Sequence, residues 1–397
     1  MTTSLAQTNN YQIKEPKGLS ERIAWLRDYY FKGCKRSWNN EYTAWSTGTP
    51  WDLQYQEMTY YIVPEVYMLL DTLGGGYHQA ARNIPLKDDF WLLSLVERNA
   101  WFLKEVMLNH LPQEILPGDL IAGGRFNVIN STCFTKEERK TYDKKVVGKN
   151  GARAQMKWFH DHGYGNAGAT SGHLVPGYEH VLKKGWKGIH AEVKAIYDAF
   201  SPEDQKGPRG DQLRAMLTSA TLAGELAGKY GQVCKNLGRK ESVAERREEF
   251  LQMAANLERV PWEPPETFWE AVQALWLTHM LIMSDENYPG PGVSFGRIDQ
   301  YLLPFWEVSH SQGMDREFAK EILKCFWFHC NTAYDAMIRN GNQGITAGFG
   351  QLITLSGVGP NGRDMTNDLT YMFMEVIDEM TPILEPKPNV RLHRNSP

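Results

Sequence analysis

Apolar residues recur with helical spacing along most of the chain, so the pattern predicts a protein built mainly of α-helices. Ser20 is placed to cap the first helix, and the charged stretch 136–149 predicts a solvated helix or an inserted loop. The apolar run 119–124 is short and ends in two glycines, which predicts a strand followed by a turn. The longest predicted helices cover 87–111, 178–199, 211–237, 242–258 and 267–283. In the last of these, the large apolar residues lie on one face.

Near the carboxyl end the pattern changes to two strands with one helix between them. Residues 351–357 predict a strand, Asn367 then caps a helix with a continuous apolar stripe, and 389–393 predicts a second strand. Such a βαβ unit has parallel strands and a right-handed crossover. Because a parallel sheet is not normally left open there, the pattern indicates the front part of a longer domain over 19–397, after a flexible leader at 1–18.

The composition argues against several classes of protein. A net charge of -4 with 23% charged residues offers no basic surface for nucleic acid. The amino terminus lacks the basic start and apolar run of a signal peptide, and no apolar segment is long enough to cross a bilayer. Five scattered cysteines indicate free thiols in a reducing cytoplasm. The 13 Trp, 18 Tyr and 16 Phe favour large packed interfaces and an aromatic-lined pocket.

Two motifs suggest cofactor chemistry, but each has a simpler interpretation. Residues 357–362 match G-x-G-x-x-G after a strand, yet the following helix begins too late and no acid follows the next strand, so an ordinary turn is favoured. His160 and His162 could bind a metal from a strand, with His173 nearby in sequence. No third ligand has a convincing spacing, so we predict no metal site.

A polar cluster lies in the glycine- and proline-rich stretch GPGVSFGRIDQY at 290–301. The glycines let backbone approach closely, and Ser294 between them can present its hydroxyl to a ligand. The other polar residues suit a structural junction, in which Arg297 binds a carboxylate or carbonyls and Asp299 caps a helix over 300–308. Only Ser294 is left without a structural task, which makes it a candidate ligand contact.

His173 occupies a comparable position. It follows the loop 163–172, which contains four glycines, and it directly precedes a predicted helix. A loop side chain at a helix amino terminus is well placed to contact an anionic or hydroxylated ligand. His173 is therefore the second candidate ligand contact.

Several stretches of the chain resemble, in order and rough spacing, the pyruvate formate-lyase-like domain of glycyl radical enzymes. They are PPETFWEAVQALWLTHMLI, GVSFGRIDQYLLPFW, QLITLSGVGPNGRDMTNDLTYMFMEVIDEM and PKPNVRLHRNSP. The earlier stretches ILPGDLIAGG and SGHLVPGYEHVLKKGWKGI resemble two further landmarks of that domain. Together they extend from about residue 115 to residue 397, whereas 1–110 matches less clearly.

The resemblance implies an α/β fold, a ten-stranded barrel of two antiparallel sets of five parallel strands wrapped by helices. This chain would form the first, helix-rich part of that barrel. In the family a glycyl radical near the carboxyl end, installed by a radical S-adenosylmethionine activating enzyme, is passed to a cysteine in a G-C-x-E motif. No such motif is present here, and Gly33 and Cys34 are followed by Lys35 and Arg36.

The missing motif leads to a further expectation about the chain itself. Both the reactive cysteine and the radical glycine would lie beyond Pro397 in a full-length member. We therefore expect the chain to bind no cofactor and to be inactive alone. It would be a truncated product, part of an assembly or an incomplete record.

The resemblance also implies roles for individual residues. Ser294 matches a serine that contacts the substrate's hydroxyl or carboxylate, and His173 resembles a histidine that faces a diol substrate. Phe295, beside Ser294, would favour an aromatic substrate. The residues that would support the site structurally are Arg297, Asp299 and Gln300 and, on a predicted inner strand, Asn389 and Arg391.

Several functions stay open on the sequence. The bulky aromatic residues favour an arylacetate decarboxylase or an arylalkylsuccinate synthase. A diol dehydratase or another carbon–carbon or carbon–heteroatom lyase comes second, and pyruvate cleavage third. The chain could instead be a non-catalytic half-barrel that binds another chain or, through 357–362, a nucleotide-binding enzyme. For a full-length enzyme we expect a small-molecule substrate, the activating enzyme and a second copy as partners, in the cytoplasm.

Overall fold

The computed structural model describes residues 18–28, 84, 86, 88–110, 113–124, 133–164, 174–285, 293–332, 351–381, 383 and 385–397. Most of these residues are helical. The α-helices are α1 Glu21–Asp28, α2 Leu95–Glu105, α3 Lys136–Tyr142, α4 Ala152–Asp161, α5 Tyr178–Asp198, α6 Pro202–Lys206, α7 Pro208–Lys240, α8 Ala244–Arg259, α9 Phe268–Asp285, α10 Ile298–Tyr301, α11 Leu303–Ser311, α12 Arg316–Thr332 and α13 Asp368–Met380. The strands are β1 Leu352–Ser356 and β2 Lys387–Arg391.

The three long helices predicted in the middle of the chain are confirmed as α5, α7 and α8. A short link joins α7 to α8, and the two pack along each other with Leu226 and Tyr230 of α7 and Met253 and Leu257 of α8 buried. Because apolar positions recur with the helical period in both elements, each helix buries one stripe against its neighbour. Helix α7 also contacts α2 and α5, so α7 is the central helix of this layer.

Of two other helix predictions, the structure modifies one and bears out the other. The predicted helix over 87–111 is not continuous, because a 3₁₀ turn at Asp88–Leu92 precedes α2 and a π turn at Val106–His110 follows it. Ser94 caps α2 together with Glu97, which fixes the start of the α-helical part. The charged stretch at 136–149 is a solvated helix as predicted, and α3 contains no buried residue.

Helix α5 is interrupted at Gly185, which has φ 64° and ψ 167°. The backbone of the loop after α8 passes directly against this glycine, and a Cβ here would collide with the carbonyl of Trp262. That loop accepts the hydrogen bonds that the helix gives up: the N–H groups of Trp186 and Lys187 donate to the carbonyls of Pro261 and Trp262, both at 2.9 Å. Glycine is required at this crossing because both the positive φ and the close backbone approach exclude a side chain.

Helix α9 lies inside the fold, with 16 of its 18 residues buried. The face predicted from its apolar residues is buried, but so is nearly the whole circumference of the helix. A helix buried all round must satisfy its polar side chains internally. Trp186 of α5 donates to Thr278 at 3.1 Å, and Gln273 exchanges two hydrogen bonds with the backbone of Ala122. Within the described residues, no helix is long and apolar enough to span a membrane.

The prediction of a strand at 119–124 is wrong. The segment is buried but irregular, with a bend at Ile121, and its backbone groups bond side chains such as that of Gln273. Trp269 and Trp276 of α9 donate to the carbonyls of Leu120 and Gly123 at 2.7 and 3.0 Å. Side chains that satisfy backbone groups in this way replace the ladder of a sheet, and apolar composition alone does not distinguish the two arrangements.

The predicted βαβ unit is confirmed. Strands β1 and β2 are parallel, with Leu352 opposite Lys387 and Ser356 opposite Arg391, and α13 connects them. Asn367 caps α13 as predicted, accepting a hydrogen bond from the backbone N–H of Thr370 at 3.1 Å.

Two further extended segments continue this sheet on the other side of β1. Gly296 forms a parallel bridge with Ile353, and Val293 forms a parallel bridge with Leu174. The segments at 174, 293–296, β1 and β2 therefore lie side by side in chain order, all running in the same direction. This arrangement of parallel segments with intervening helices agrees with the α/β barrel that the family resemblance implies.

Candidate active site

Ser294 lies where three segments of the sheet region meet. Its backbone N–H donates to the carbonyl of Leu174 at 2.9 Å, and its hydroxyl oxygen accepts from the N–H of Leu352 at 3.4 Å. The side chain is half-buried. A hydroxyl can both accept and donate hydrogen bonds, so the chemistry of Ser294 suits both a link between segments and a ligand contact. Its predicted contact with a substrate stays a prediction.

His173, the other predicted ligand contact, lies outside the described residues. Its neighbour Leu174 is described and forms the bridge to Val293 that places it beside Ser294. The structure thus brings Leu174, the residue after His173, next to Ser294, although Leu174 and Ser294 are 120 positions apart. The role of His173 itself stays a prediction.

Phe295 is a core residue, with 0% of its surface exposed. Its ring stacks on the imidazole of His279 at 4.0 Å and meets Phe326 edge-on at 5.0 Å. Gly296 follows it with φ 68°, a conformation that turns the chain towards α10. The described residues leave no opening to the ring, so this position gives Phe295 a packing role, and its predicted substrate contact has no support here.

A buried chain of polar groups lies behind Phe295, and the sequence analysis did not identify it. The Tyr178 hydroxyl is 2.6 Å from Nδ1 of His279, and Nε2 of His279 is 2.9 Å from Oε1 of Gln351. Gln351 in turn donates from Nε2 to the carbonyl of Cys330 at 2.8 Å. Burial raises the pKa of Tyr178 well above its usual value, so the hydroxyl keeps its proton. A histidine within the apolar stretch of α9 was the one sequence signal of this chain.

The polar residues after Gly296 join β1 to the start of α13. Arg297 donates to the carbonyls of Ser356 and Val358 at 3.1 and 3.4 Å, which confirms the predicted fork to carbonyls. Gln300 donates to the carbonyl of Met365 at 2.9 Å. Both side chains therefore hold the loop that follows β1, and the stretch acts as a junction between elements.

Asp299 has a different task from the one predicted. It lies inside α10 instead of capping a helix over 300–308, and α11 begins separately at Leu303. One carboxylate oxygen accepts from the N–H of Ser356 at 2.7 Å and from the hydroxyl of Thr370 at 2.6 Å. Desolvation raises the pKa of this buried carboxyl, although these hydrogen bonds oppose the rise. The correction has a simple cause: the partners of Asp299 are 57 and 71 positions away.

Asn389 and Arg391 lie on β2, as predicted, and both are exposed. Asn389 pairs with Thr354 and Arg391 with Ser356, so each side chain leaves the sheet on the same face as its partner. Ser294 is bonded at the beginning of β1, whereas Arg391 stands opposite its end. The two positions are about 13 Å apart along the strand, at about 3.3 Å per residue, so they do not converge on one small ligand group.

The loop 357–362 is an ordinary turn, as favoured above. It is closed by an antiparallel bridge between Val358 and Asp364, and α13 begins only at Asp368. Its glycines therefore do not lead directly into a helix amino terminus, which dinucleotide binding requires. Asp364 is hydrogen-bonded to His393 at 2.8 Å, and this contact lowers the pKa of Asp364.

The histidines considered for a metal site are not on a strand. His160 lies in α4, and His162 follows its end and stacks on Trp158 at 4.2 Å. Both are exposed. No group of three metal-binding side chains occurs in the part of the chain that the structure describes.

The cysteines of the described ranges do not fit a reactive thiol of the glycyl radical type. Cys133 and Cys234 are buried, and desolvation raises the pKa of each to about 12. Cys325 and Cys330 on α12 are completely buried, and desolvation raises their pKa values well above the usual value. A thiol that exchanges a hydrogen atom with a substrate must contact it. No described cysteine meets that condition, so no reaction step is assigned to them.

The family of the chain follows from its match to known proteins. The model of the pyruvate formate lyase-like family matches residues 137–397. The chain belongs to this family. The match covers the sheet region, the buried polar chain and the junction after Gly296, and it begins within α3.

Known relatives and solved structures show how much of this chain is similar to other proteins. Isethionate sulfite-lyase of Desulfovibrio desulfuricans is 30% identical over 250 residues, which are 62% of this chain and 28% of that protein. Indoleacetate decarboxylase of Tractidigestivibacter scatoligenes is 48% identical over 80 residues, or 20% of this chain and 9% of that protein. A glycyl radical enzyme from Archaeoglobus fulgidus has a similar fold, with a TM-score of 0.68 and 24% identity over 95% of this chain and 48% of that one. The chain thus spans about half of that enzyme.

Proposed function

We propose that the gene product containing these residues is a glycyl radical lyase, and that the sheet region around Ser294 forms one wall of its substrate cavity. The family match over 137–397 supports the class of enzyme. The assignment of the wall rests on one observation. Three segments meet at Ser294, which is hydrogen-bonded to Leu174 and Leu352. Catalytic contacts in α/β folds gather where segments from different parts of the chain meet.

The proposed substrate is a small arylacetate. The 48% identity to indoleacetate decarboxylase, higher than the 30% identity to isethionate sulfite-lyase, favours this choice, although it covers only 80 residues. The reaction would be R–CH2–COO⁻ + H⁺ → R–CH3 + CO2, in which the bond to the carboxylate breaks and the remaining carbon gains hydrogen. The glycyl radical of the family supplies hydrogen-atom abstraction. Ser294 would donate its hydroxyl proton to a carboxylate oxygen of the substrate and orient it.

A second candidate is a lyase that breaks a carbon–heteroatom bond. The 30% identity to isethionate sulfite-lyase extends over 62% of the chain and favours this reading of the same cavity. Ser294 would then donate to a hydroxyl or sulfonate oxygen. In both cases we propose the radical-generating activating enzyme and a second copy of the chain as partners.

The test uses the product of the complete reading frame that contains this chain, activated under anaerobic conditions. Indoleacetate, 4-hydroxyphenylacetate, isethionate and propane-1,2-diol are offered separately, and carbon dioxide, sulfite and aldehyde are measured. We expect carbon dioxide from an arylacetate. Sulfite or aldehyde would support the second candidate instead. A radical signal in electron paramagnetic resonance, without turnover of any of the four compounds, would refute both substrate proposals.

The role of Ser294 is tested by Ser294→Ala, with Ser311→Ala as the matched control. Ser311 is exposed and bonds only the carbonyl of Val308 among the described residues. We expect Ser294→Ala to weaken substrate binding about tenfold, the effect of one lost hydrogen bond, while its thermal midpoint stays close to that of the control. Unchanged binding together with a lowered thermal midpoint would show that the hydroxyl serves only to join the segments.

A further inference from the structure

His279 contacts residues in or next to the three segments that meet at Ser294. Its Nδ1 is bonded to Tyr178, which follows the segment of Leu174, and its Nε2 is bonded to Gln351, the residue before β1. Its ring is stacked under Phe295, the residue after Ser294, at 4.0 Å. One imidazole therefore links pieces of chain that are 56 to 173 positions apart, since Tyr178, Phe295 and Gln351 are widely separated in sequence.

The direction of these hydrogen bonds follows from the end of the chain of polar groups. The carbonyl of Cys330 can only accept, so the group of Gln351 that faces it is the amide NH2. The other group of Gln351, its carbonyl oxygen Oε1, must then accept from Nε2 of His279. In the neutral ring Nδ1 is left as the acceptor, and the hydroxyl of Tyr178 donates to it. Every member of the chain thus has a defined donor and acceptor.

Packing alone does not account for a histidine at this position. The ring is 0% exposed within α9, where an apolar side chain would fill the space without any need for partners. A buried imidazole is stable only because both nitrogens are bonded, and those bonds are directional. They fix how the start of α5 and the start of β1 lie relative to α9, which apolar contacts would leave less sharply defined.

We propose that His279 is a positioning residue: it holds Ser294, the segment at Leu174 and the start of β1 in register, through Tyr178, Gln351 and Phe295. It acts through these neighbours and does not itself contact a substrate. The role of His279 in catalysis rests on the proposed function, but its positioning of the three segments can be measured without turnover.

Tyr178→Phe and Trp186→Phe form a matched pair for the test. Each removes one hydrogen bond from α5 to α9, to His279 and to its neighbour Thr278 respectively, and each leaves an aromatic ring in place. Only the first bond belongs to the proposed positioning device. His279→Phe is the third variant; it keeps a ring against Phe295 and removes both bonds of the imidazole.

Amide hydrogen exchange of the 397-residue chain is the measurement. The reporters are the N–H groups of Ser294, Phe295 and Leu352, which donate to Leu174, Leu352 and Ser294 respectively. We expect exchange at these amides to be about tenfold faster in Tyr178→Phe, because one hydrogen bond lost from the native state lowers the local opening free energy by that factor. His279→Phe should show a larger increase, and Trp186→Phe none.

The outcomes separate the alternatives. Equal exchange at the three amides in Tyr178→Phe and Trp186→Phe overturns the proposal, whether or not His279→Phe folds. Nitrogen-15 spectra of labelled histidine are expected to show His279 protonated at Nε2, and protonation at Nδ1 alone would contradict the assigned direction of the bonds. If exchange behaves as expected but no arylacetate is turned over, the positioning device stands and only the proposed function fails. In an active enzyme, Tyr178→Phe should raise KM more than it lowers kcat.

Discussion

The helical layer and the junction after Gly296 are stabilised in different ways. In the layer, α7 and α8 bury a continuous series of apolar side chains against each other and against α2 and α5. The junction buries few side chains of its own and depends on single polar groups, chiefly Asp299, which bonds β1 and α13 at once. Stability in the layer is therefore distributed over many contacts, whereas geometry at the junction depends on a small number of directional bonds.

This difference fits the proposed division of tasks between the two regions. A scaffold tolerates small rearrangements of apolar contacts, because these contacts are not directional. A wall that presents Ser294 to a substrate has to be placed to within a fraction of an ångström, which directional bonds achieve. Substitutions that remove one group from each region test this division of tasks.

The largest effect is expected for Leu226→Ala in the helical layer. Leu226 is 0% exposed in α7, so the substitution leaves a cavity, and we expect the free energy of unfolding to fall by about 3 kcal/mol. Chemical denaturation measures this loss. The matched control is Leu251→Ala in α8, where the side chain is 47% exposed and the expected loss is below about 1 kcal/mol. Similar losses in the two variants would mean that the layer is not packed as described.

A smaller loss, about 2 kcal/mol, is expected for Asp299→Ala, because the buried N–H of Ser356 and the hydroxyl of Thr370 lose their acceptor. Asp299→Asn keeps an oxygen acceptor and should lose less. If Ala and Asn cost the same, the carboxylate oxygen is not the group that joins β1 to α13.

The raised pKa of Asp299 gives this position a defined pH dependence. The folded protein holds the proton more strongly than the unfolded chain, so the contribution of the protonated group is fully present below the unfolded pKa and is lost as pH rises through the raised folded pKa. Asp299→Asn cannot lose a proton there. The difference in unfolding free energy between wild type and Asp299→Asn should therefore change in this acidic window and be constant above it. A constant difference across the whole window would contradict the raised pKa.

The same contrast explains what could be predicted from the sequence. The helices α5, α7 and α8 were predicted closely because their stabilising contacts follow a local period of apolar residues. The βαβ unit was predicted for the same reason, together with the cap at Asn367. The segment 119–124 was predicted as a strand because its composition is apolar, but its actual partners are side chains of α9, more than 140 positions later.

For the candidate site, the sequence identified which stretch is involved but not how each residue acts. The spacing of glycines and polar residues correctly predicted Arg297 and Gln300 as members of a structural junction, whereas the predicted substrate contact of Ser294 stays a prediction. The task of Asp299 and the contacts of His279 depend on residues 57 to 101 positions away, and no periodicity records such pairs. Burial of Phe295 was likewise invisible, because a single aromatic residue beside glycines has no period.

The smallest effect is expected for Arg297→Ala at the edge of the junction. Arg297 is half-buried and donates to two carbonyls, one of them at 3.4 Å in an exposed position, so we expect a loss of about 1 kcal/mol in thermal denaturation. Arg391→Ala is the control, since within the described residues that exposed side chain has no hydrogen bond, and its loss should be close to zero. A loss at Arg297 as large as that of Asp299→Ala would contradict this order of effects. It would mean that the stability of the junction depends on the loop after β1 and not on the bond between β1 and α13.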